Sequence, residues 1–194
     1  MAQLKMRWRA QPVKEIPVPK GCTMKKFDRP EEIDIWLDIC KNGLIEPDAG
    51  QEEFESNIRN HPDLCPEHDL IFVLCDGEYA ATIAAIYHPE TESGYIHMVA
   101  AKPEFRGRGI GNWMNYLALS QITREHPETR YCQLITEDWR KAAVRSYLRA
   151  GFEPMDCAPD IEECWQALIN ELEIPQVQLL NENCEPVKTL TMQK

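Results

Sequence analysis

The segment Ala101–Gly111, AKPEFRGRGIG, constrains the fold more than any other part of the chain, because it joins an apolar run to a helical pattern. A strand followed by a glycine-rich loop and a helix N-terminus forms an anion cradle, since unpaired amides point outward at the positive end of the helix dipole. Its glycines allow a ligand to approach the backbone closely, and its arginines add permanent charge. The residues of the predicted cradle are Arg106, Gly107, Arg108, Gly109, Ile110 and Gly111. A diphosphate is the ligand that best matches these donors.

The spacing of the glycines decides which diphosphate motif is present. A dinucleotide fingerprint needs a glycine where Asn112 stands, and the Gly-Lys-Ser/Thr of a P-loop is absent. The segment Arg106–Gly111 instead fits the pattern R/Q-x-x-G-x-G/A. It resembles the pyrophosphate loop of the GNAT superfamily, whose members are N-acetyltransferases that use acetyl-coenzyme A.

A second motif supports the resemblance about thirty residues downstream. The segment Lys141–Phe152 reads as a helix that ends at Gly151, a residue suited to a left-handed C-cap. It is similar to the A-x-x-x-Y-x-x-x-G-F ending of the superfamily, in which the tyrosine, here Tyr147, lies by the coenzyme sulfur. Arg140 stands where the superfamily most often has Asn, so this pattern predicts no amide contact to the coenzyme from that position.

The order of the predicted elements agrees with the same fold over roughly residues 22–157. Apolar runs predict strands at 70–75, 79–87, 95–101 and 131–136, and Asp76-Gly77 is a hairpin signal. Apolar residues at helical spacing predict helices from about 33 to 40 and from 110 to 118. We expect Asp28 with Glu31, and Asp48, to cap helices in this half of the chain. The resemblance implies a mixed α/β (α+β) fold with a mostly antiparallel central sheet flanked by helices.

Both ends depart from the minimal plan of the superfamily. Residues 1–21 contain prolines and show no period, which predicts an extended N-terminal arm or a loose lead-in. Residues 158–194 predict an extra helix, capped by Asp160 and Glu163, followed by a hairpin of two strands. We expect 1–194 to form a single domain, because the chain suffices for one substantial core and is rather short for two.

The resemblance implies transfer of an acetyl group from acetyl-CoA to a primary amine by direct attack in a ternary complex. Tyr147 is the predicted proton donor to the leaving thiolate, since a phenol is a weaker acid than a thiol by reference pKa, about 10 against about 8.5. Main-chain groups at Val99 and Ala101 are the positions carried over for contacts with the pantetheine arm and the oxyanion. Two alternatives remain open: a different acyl donor, and a non-catalytic acyl-CoA-binding module.

His97 is the candidate base, because an imidazole with a reference pKa of about 6.5 suits proton acceptance. Alternation along a strand predicts that it shares a face with Tyr95, Val99 and Ala101. The plainer interpretation is a packed histidine that hydrogen-bonds to a neighbour. Glu92 acting through a water, or no base at all, are further possibilities.

Composition bounds the partners and the compartment. A net charge of −11 disfavours nucleic acid and mildly favours a cationic amine, either a small molecule or a peptide. The eight cysteines form no C-x-x-C pair, no signal peptide is evident, and no apolar run approaches the roughly 20 residues that span a membrane. We therefore expect a cytoplasmic protein without a membrane partner. The apolar stripe of the C-terminal helix leaves a homodimer open.

The spacing of His61, Cys65 and His68 is the one pattern that suggests a metal site. Prolines interrupt the segment and no fourth ligand is placed. We therefore expect no metal.

Overall fold

A computed structural model describes residues 2–193 of the chain. Within these residues the chain forms two compact units. One unit comprises residues 13–129, and the other comprises residues 2–12 and 130–193. The predicted mixed α/β fold, with mostly antiparallel strands and flanking helices, is confirmed.

The unit of residues 13–129 is built on four antiparallel strands. They are β2 (Cys22–Lys26), β3 (Leu70–Cys75), β4 (Glu78–His88) and β5 (Ser93–Ala101), each paired with the next. Every residue from Leu70 to Val73 is buried, so both faces of β3 are covered. Asp76 and Gly77 have φ angles of 54° and 88°, which is the backbone expected for the Asp-Gly hairpin turn.

Helical segments of this unit pack on the strands. They are α1 (Glu32–Cys40), α2 (Gln51–Phe54) continuing into a π-helix (Glu55–Arg59), α3 (Pro66–Asp69), a 3-10 turn (Pro103–Phe105) and α4 (Ile110–Glu125). The core between α1, α2 and the strands centres on Trp36 and Phe54, whose rings meet edge-on at 5.3 Å. Helix α4 packs against β4 through the buried Trp113, Met114 and Ala118.

The predicted capping box of Asp28 with Glu31 and the predicted cap at Asp48 are both wrong. Helix α1 has no side-chain cap at its N-terminus, and Oε2 of Glu32 instead accepts a hydrogen bond from the amide of Asp28 at 2.9 Å. Helix α2 likewise begins after Gly50, whose amide donates to Oε1 of Glu52. Acidic side chains within the first turn therefore replace the predicted caps, since an acceptor there also favours the helix dipole.

The second unit contains a strand that the sequence interpretation missed. Strand β1 (Gln3–Arg9) lies between β6 (Tyr131–Glu137) and β7 (Glu153–Pro154) and is antiparallel to both. The prediction of an N-terminal arm or a loose lead-in is therefore wrong for residues 3–9, which form a strand inside the sheet. Leu4, Met6 and Trp8 alternate inward and are almost completely buried, which is the period-2 pattern of a strand.

The remaining elements of this unit follow the prediction closely. They are α5 (Lys141–Ala150), α6 (Ile161–Glu171), β8 (Gln176–Leu180) and β9 (Pro186–Thr191), with β8 and β9 forming an antiparallel hairpin. Helix α6 buries Ile161, Trp165, Leu168 and Ile169, so the predicted apolar stripe covers the unit's own core. Asp160 makes no side-chain cap.

Cys22 and Cys75 form a disulfide across the paired strands β2 and β3. A separation of 53 residues leaves no short motif that reveals such a pair. The strand register places the two residues opposite each other.

Candidate functional site

The predicted anion cradle is a turn that follows the 3-10 turn and leads into the first residues of helix α4. Gly107 and Gly109 adopt φ angles of 79° and 84°, in the left-handed region where a side chain costs free energy. A Cβ atom added at either position would meet no atom within 4 Å. The glycines therefore serve the backbone geometry, and the space beside them is open to a ligand.

The amides of this turn are available to such a ligand. Within residues 2–193, the backbone N–H groups of residues 107–111 have no hydrogen-bond acceptor in the protein, whereas that of Arg106 donates to Pro103 O at 3.1 Å. They precede or begin a helix of 16 residues, whose dipole favours negative charge at this end. Unpaired donors at a helix N-terminus with open space above them fit the diphosphate of coenzyme A.

The two arginines of the cradle are held by neighbouring segments. Arg106 donates through Nε and Nη2 to Ala101 O and through Nη2 to Asn42 O, at 3.1 to 3.3 Å. Arg108 donates to Oδ2 of Asp76 at 3.0 Å and to Lys20 O at 2.9 Å. Arg106 thus fixes the start of the turn and Arg108 its middle, and both guanidinium groups add positive charge beside it.

Strand β5 carries a β-bulge next to the cradle. Ala100 pairs with Thr82 and His97 pairs with Ala84, so Met98 and Val99 lie opposite a single residue. Met98 has a φ angle of 47°, which is unusual for a residue with a side chain. Bulges re-aim side chains and disturb the ladder, and they occur often beside functional sites.

The bulge corrects one expectation about faces. Thr82 and Ala84 lie two apart on β4, so their partners Ala100 and His97 share a face. Ala101 pairs with Ala81 and therefore lies on the opposite face from His97. The predicted common face of His97 with Ala101 is wrong, because the extra residue of the bulge shifts the alternation.

His97 is held by the π-helix. Its Nε2 lies 3.1 Å from the carbonyl oxygen of Asn57, which can only accept, so Nε2 carries the hydrogen and Nδ1 is left with a lone pair. Burial, and secondarily His61, lowers the pKa of His97 to about 4. The imidazole is therefore neutral at physiological pH. No sequence signal indicated Asn57, because the contact depends on a widened helical turn.

His97 belongs to a cluster of rings that also contains Tyr95, His61 and His88. Tyr95 stacks on His97 with centroids 5.2 Å apart, and His61 lies 5.9 Å from both His97 and His88. Nδ1 of His88 is 2.6 Å from a carboxylate oxygen of Asp63. Burial and His88 lower the pKa of His61 as well. The cluster thus contains two imidazoles with lowered pKa values, those of His61 and His97, and one carboxylate, that of Asp63.

Tyr147 lies in the second unit, on helix α5. The amide of Gly151 donates to Leu148 O and that of Phe152 to Tyr147 O, which is the Schellman pattern, and Gly151 has a φ angle of 93°. The Tyr147 side chain is 6% exposed. Helix ending and ring packing thus fix the position of Tyr147 within its unit.

The contacts of Cys65 and His68 do not support a metal site in the segment from His61 to His68. Both ring nitrogens of His68 lie by carboxylates, those of Asp69 and Glu125, and Cys65 Sγ lies by Glu67. Residues 2–193 contain no group of three or more His, Cys, Asp or Glu side chains arranged to hold a metal ion. Over the same residues, no helix combines the length and hydropathy needed to cross a bilayer.

Comparison with known proteins gives a family and a fold. The family model of the acetyltransferase (GNAT) family matches residues 32–152. A GCN5-related N-acetyltransferase from Sphaerobacter thermophilus is similar in fold at 20% identity, with a TM-score of 0.62 over 78% of this chain and 48% of that one. A GCN5-related N-acetyltransferase from Kribbella flavida is 20% identical, with a TM-score of 0.55 over 78% and 53% of the two chains. The chain thus spans about half the length of each relative. No curated protein matches it in sequence.

Proposed function

Because the chain belongs to the GNAT acetyltransferase family, we propose that it transfers the acetyl group of acetyl-CoA to a primary amine by direct attack in a ternary complex. The observation that carries the proposal is a row of backbone N–H groups at residues 107–111, at the start of α4. Within residues 2–193 these N–H groups have no hydrogen-bond acceptor. A diphosphate satisfies these donors and the helix dipole together.

The coenzyme is held mainly by backbone in this proposal. The amides from Gly107 to Gly111 bind the diphosphate, while main-chain groups of Val99 and Ala101 pair with the pantetheine arm. The bulge at Met98 and Val99 supports this role, since it interrupts the regular ladder on β5. The same region of backbone supplies a donor for the oxyanion that forms when the amine attacks the thioester carbonyl.

Tyr147 is the proposed general acid. As the carbon–sulfur bond breaks, its phenolic hydroxyl donates a proton to the departing thiolate. Its side chain is largely buried, and the Schellman ending of α5 holds its backbone, which supports a fixed donor rather than a mobile one.

His97 is the proposed acceptor for a hydrogen of the amine. With Nε2 donating to Asn57, the lone pair on Nδ1 is the one available to the substrate. A pKa of about 4 makes the imidazole too weak a base to deprotonate an ammonium ion, so the amine attacks in its neutral form and Nδ1 accepts the proton that its nitrogen loses as the amide forms. The enzyme then depends on the fraction of the amine that is unprotonated.

The acceptor we propose is a cationic amine in solution, either a small molecule or a peptide. The net charge of −11 attracts cations to the protein, and Asp63 places a carboxylate within the imidazole cluster. A cytoplasmic location and a homodimer remain predictions.

Thiol release from acetyl-CoA, measured across a panel of small amines and lysine peptides, tests the proposal. Turnover with at least one amine supports an acetyltransferase. Turnover only with longer thioesters indicates a different acyl donor. Coenzyme binding without turnover for any amine or donor contradicts the proposal and supports a non-catalytic binding module.

A further inference from the structure

The Arg108 side chain donates hydrogen bonds to two segments that are distant in sequence. Its Nη2 donates to Lys20 O at 2.9 Å, just before β2, and its Nη1 donates to Oδ2 of Asp76 at 3.0 Å, just after β3. We call Lys20, Gly21 and Asp76 the Arg108 clamp. Because Arg108 lies between Gly107 and Gly109, the clamp fixes the middle of the amide row.

The two sides of the clamp are interlocked. The amide of Asp76 donates to Gly21 O at 2.8 Å. A Cβ atom on Gly21 would lie 2.2 Å from Oδ1 of Asp76, and Gly21 has a φ angle of 74°. The carboxylate therefore rests directly against the glycine, and its position depends on how closely the ends of β2 and β3 approach.

The Cys22–Cys75 disulfide joins these ends. Cys22 follows Gly21 and Cys75 precedes Asp76, so each cysteine is directly adjacent in sequence to a clamp residue. Strand β2 is an edge strand that pairs only with β3 in its unit, and Thr23 and Met24 on it are exposed. Strand β2 pairs with β3 along Cys22–Lys26, and the disulfide lies at the end of this pairing that adjoins the clamp, so the covalent bond keeps the clamp closed.

We propose that the disulfide between Cys22 and Cys75 positions Arg108 through this clamp and that its reduction weakens coenzyme binding. The inference rests on the proposed function, because the amide row is taken to bind the coenzyme diphosphate. When the clamp is released, the turn of residues 107–111 can move. Its amides must then be ordered again when the ligand binds, and this entropic cost weakens binding. Coenzyme affinity then depends on the thiol state of the protein.

A trialkylphosphine is the reductant for the test, because it leaves the thioester of acetyl-CoA intact. Phosphorus supplies two electrons to the sulfur–sulfur bond. Water supplies the oxygen of the phosphine oxide and the hydrogens of the two thiols. Acetyl-CoA is the probe, since the free thiol of coenzyme A would itself exchange with the disulfide.

Calorimetric binding of acetyl-CoA to the oxidised and reduced protein, without amine, measures the effect. We expect reduction to raise Kd about twofold to fivefold, the range for one exposed charged contact. Cys22→Ala/Cys75→Ala should show the weaker affinity in both conditions. Gly21→Ala should weaken binding without a change in charge, because its Cβ displaces the Asp76 carboxylate. Cys65→Ser, which alters an exposed free thiol, is the control and should respond to reduction like the parent.

Limited trypsin digestion gives a readout that needs no coenzyme. Reduction should accelerate cleavage after Arg108, since the released side chain and turn can enter a protease. Unchanged Kd and unchanged cleavage, with the disulfide shown to be reduced, would overturn the clamp. Faster cleavage in a protein that binds no acetyl-CoA in either state would support the clamp and contradict the proposed function instead.

Discussion

The ring of Tyr147 meets the ring of Phe152 at 66°, with centroids 6.0 Å apart. Phe152 is the residue whose amide closes the Schellman motif on Tyr147 O, so the same turn fixes the backbone and the ring of the proposed acid. Packing of the ring and chemistry of its hydroxyl can therefore be separated by mutation.

Tyr147→Phe should keep this packing and lose the proton donor. We expect kcat to fall by about 100-fold to 10,000-fold, or somewhat less because a thiolate is already a fair leaving group, with Kd for coenzyme A nearly unchanged. Steady-state kinetics and calorimetry measure the two quantities. Tyr131→Phe removes a hydroxyl from a half-buried tyrosine in the same unit and should keep the parent rate. A parent-like rate for Tyr147→Phe would leave Tyr147 with a packing role only.

Substitutions at Gly109 separate backbone geometry from ligand access. Gly109→Val should abolish coenzyme binding, because a β-branched residue disfavours a φ angle of 84° and fills the open space beside the amides. Gly109→Asn tolerates the left-handed backbone better and should bind measurably but weakly. Calorimetry with circular dichroism as the folding control checks both. Near-normal affinity in a folded Gly109→Val protein would contradict the amide cradle.

Buried His97 predicts a loss of stability in acid. Its pKa is lowered from 6.5 to about 4, so between these pH values the unfolded state binds a proton that the folded state does not. The free energy of unfolding should therefore fall as the pH drops through this window, by at most about 3 kcal/mol from this residue. Urea denaturation from pH 7 to 4.5 measures it, and His97→Gln should show a shallower fall. Identical pH dependence of the two proteins would rule out the buried neutral imidazole.

The N-terminal strand gives a stability prediction. Trp8 lies near the end of β1 and is 2% exposed, so Trp8→Ala should lower the free energy of unfolding by about 3 to 5 kcal/mol. Arg9→Ala removes a partly exposed ion pair with Glu153 and should cost less than about 1 kcal/mol. Equal, small effects in urea denaturation would mean that β1 contributes little to the folded unit.

The parts of the fold carried by local periodicity could be predicted from sequence. Strand β3 was predicted at its observed bounds, 70–75, and the loop of residues 106–111 was placed correctly between β5 and α4. Strand β1 was missed because Pro12, Pro17 and Pro19 follow it, and residues 1–21 were interpreted as one segment. The alternation of Leu4, Met6 and Trp8 was visible, but its partner strands lie far along the chain.

Features of the site that depend on long-range contacts could not be predicted. The bulge that separates His97 from the face of Ala101 arises from strand register. The contact of His97 with Asn57 needs a π-helical turn, and the contacts of Arg108 need β2 and β3 to meet. Residue types indicate which chemistry is possible, while these pairings decide which atoms remain available for it.

Coenzyme anchoring by the diphosphate is the central claim, and a comparison of coenzyme A with pantetheine in thermal unfolding tests it most directly. A ligand that binds only the folded state raises Tm, and at equal concentration the ligand with the lower Kd raises it more. We expect coenzyme A to raise Tm clearly and pantetheine, which lacks the phosphates but carries the same free thiol, to raise it far less at equal concentration, so that any exchange with the disulfide affects both samples alike. Equal stabilisation by the two ligands would show that the amides of Gly107–Gly111 are not the anchor and would contradict the account.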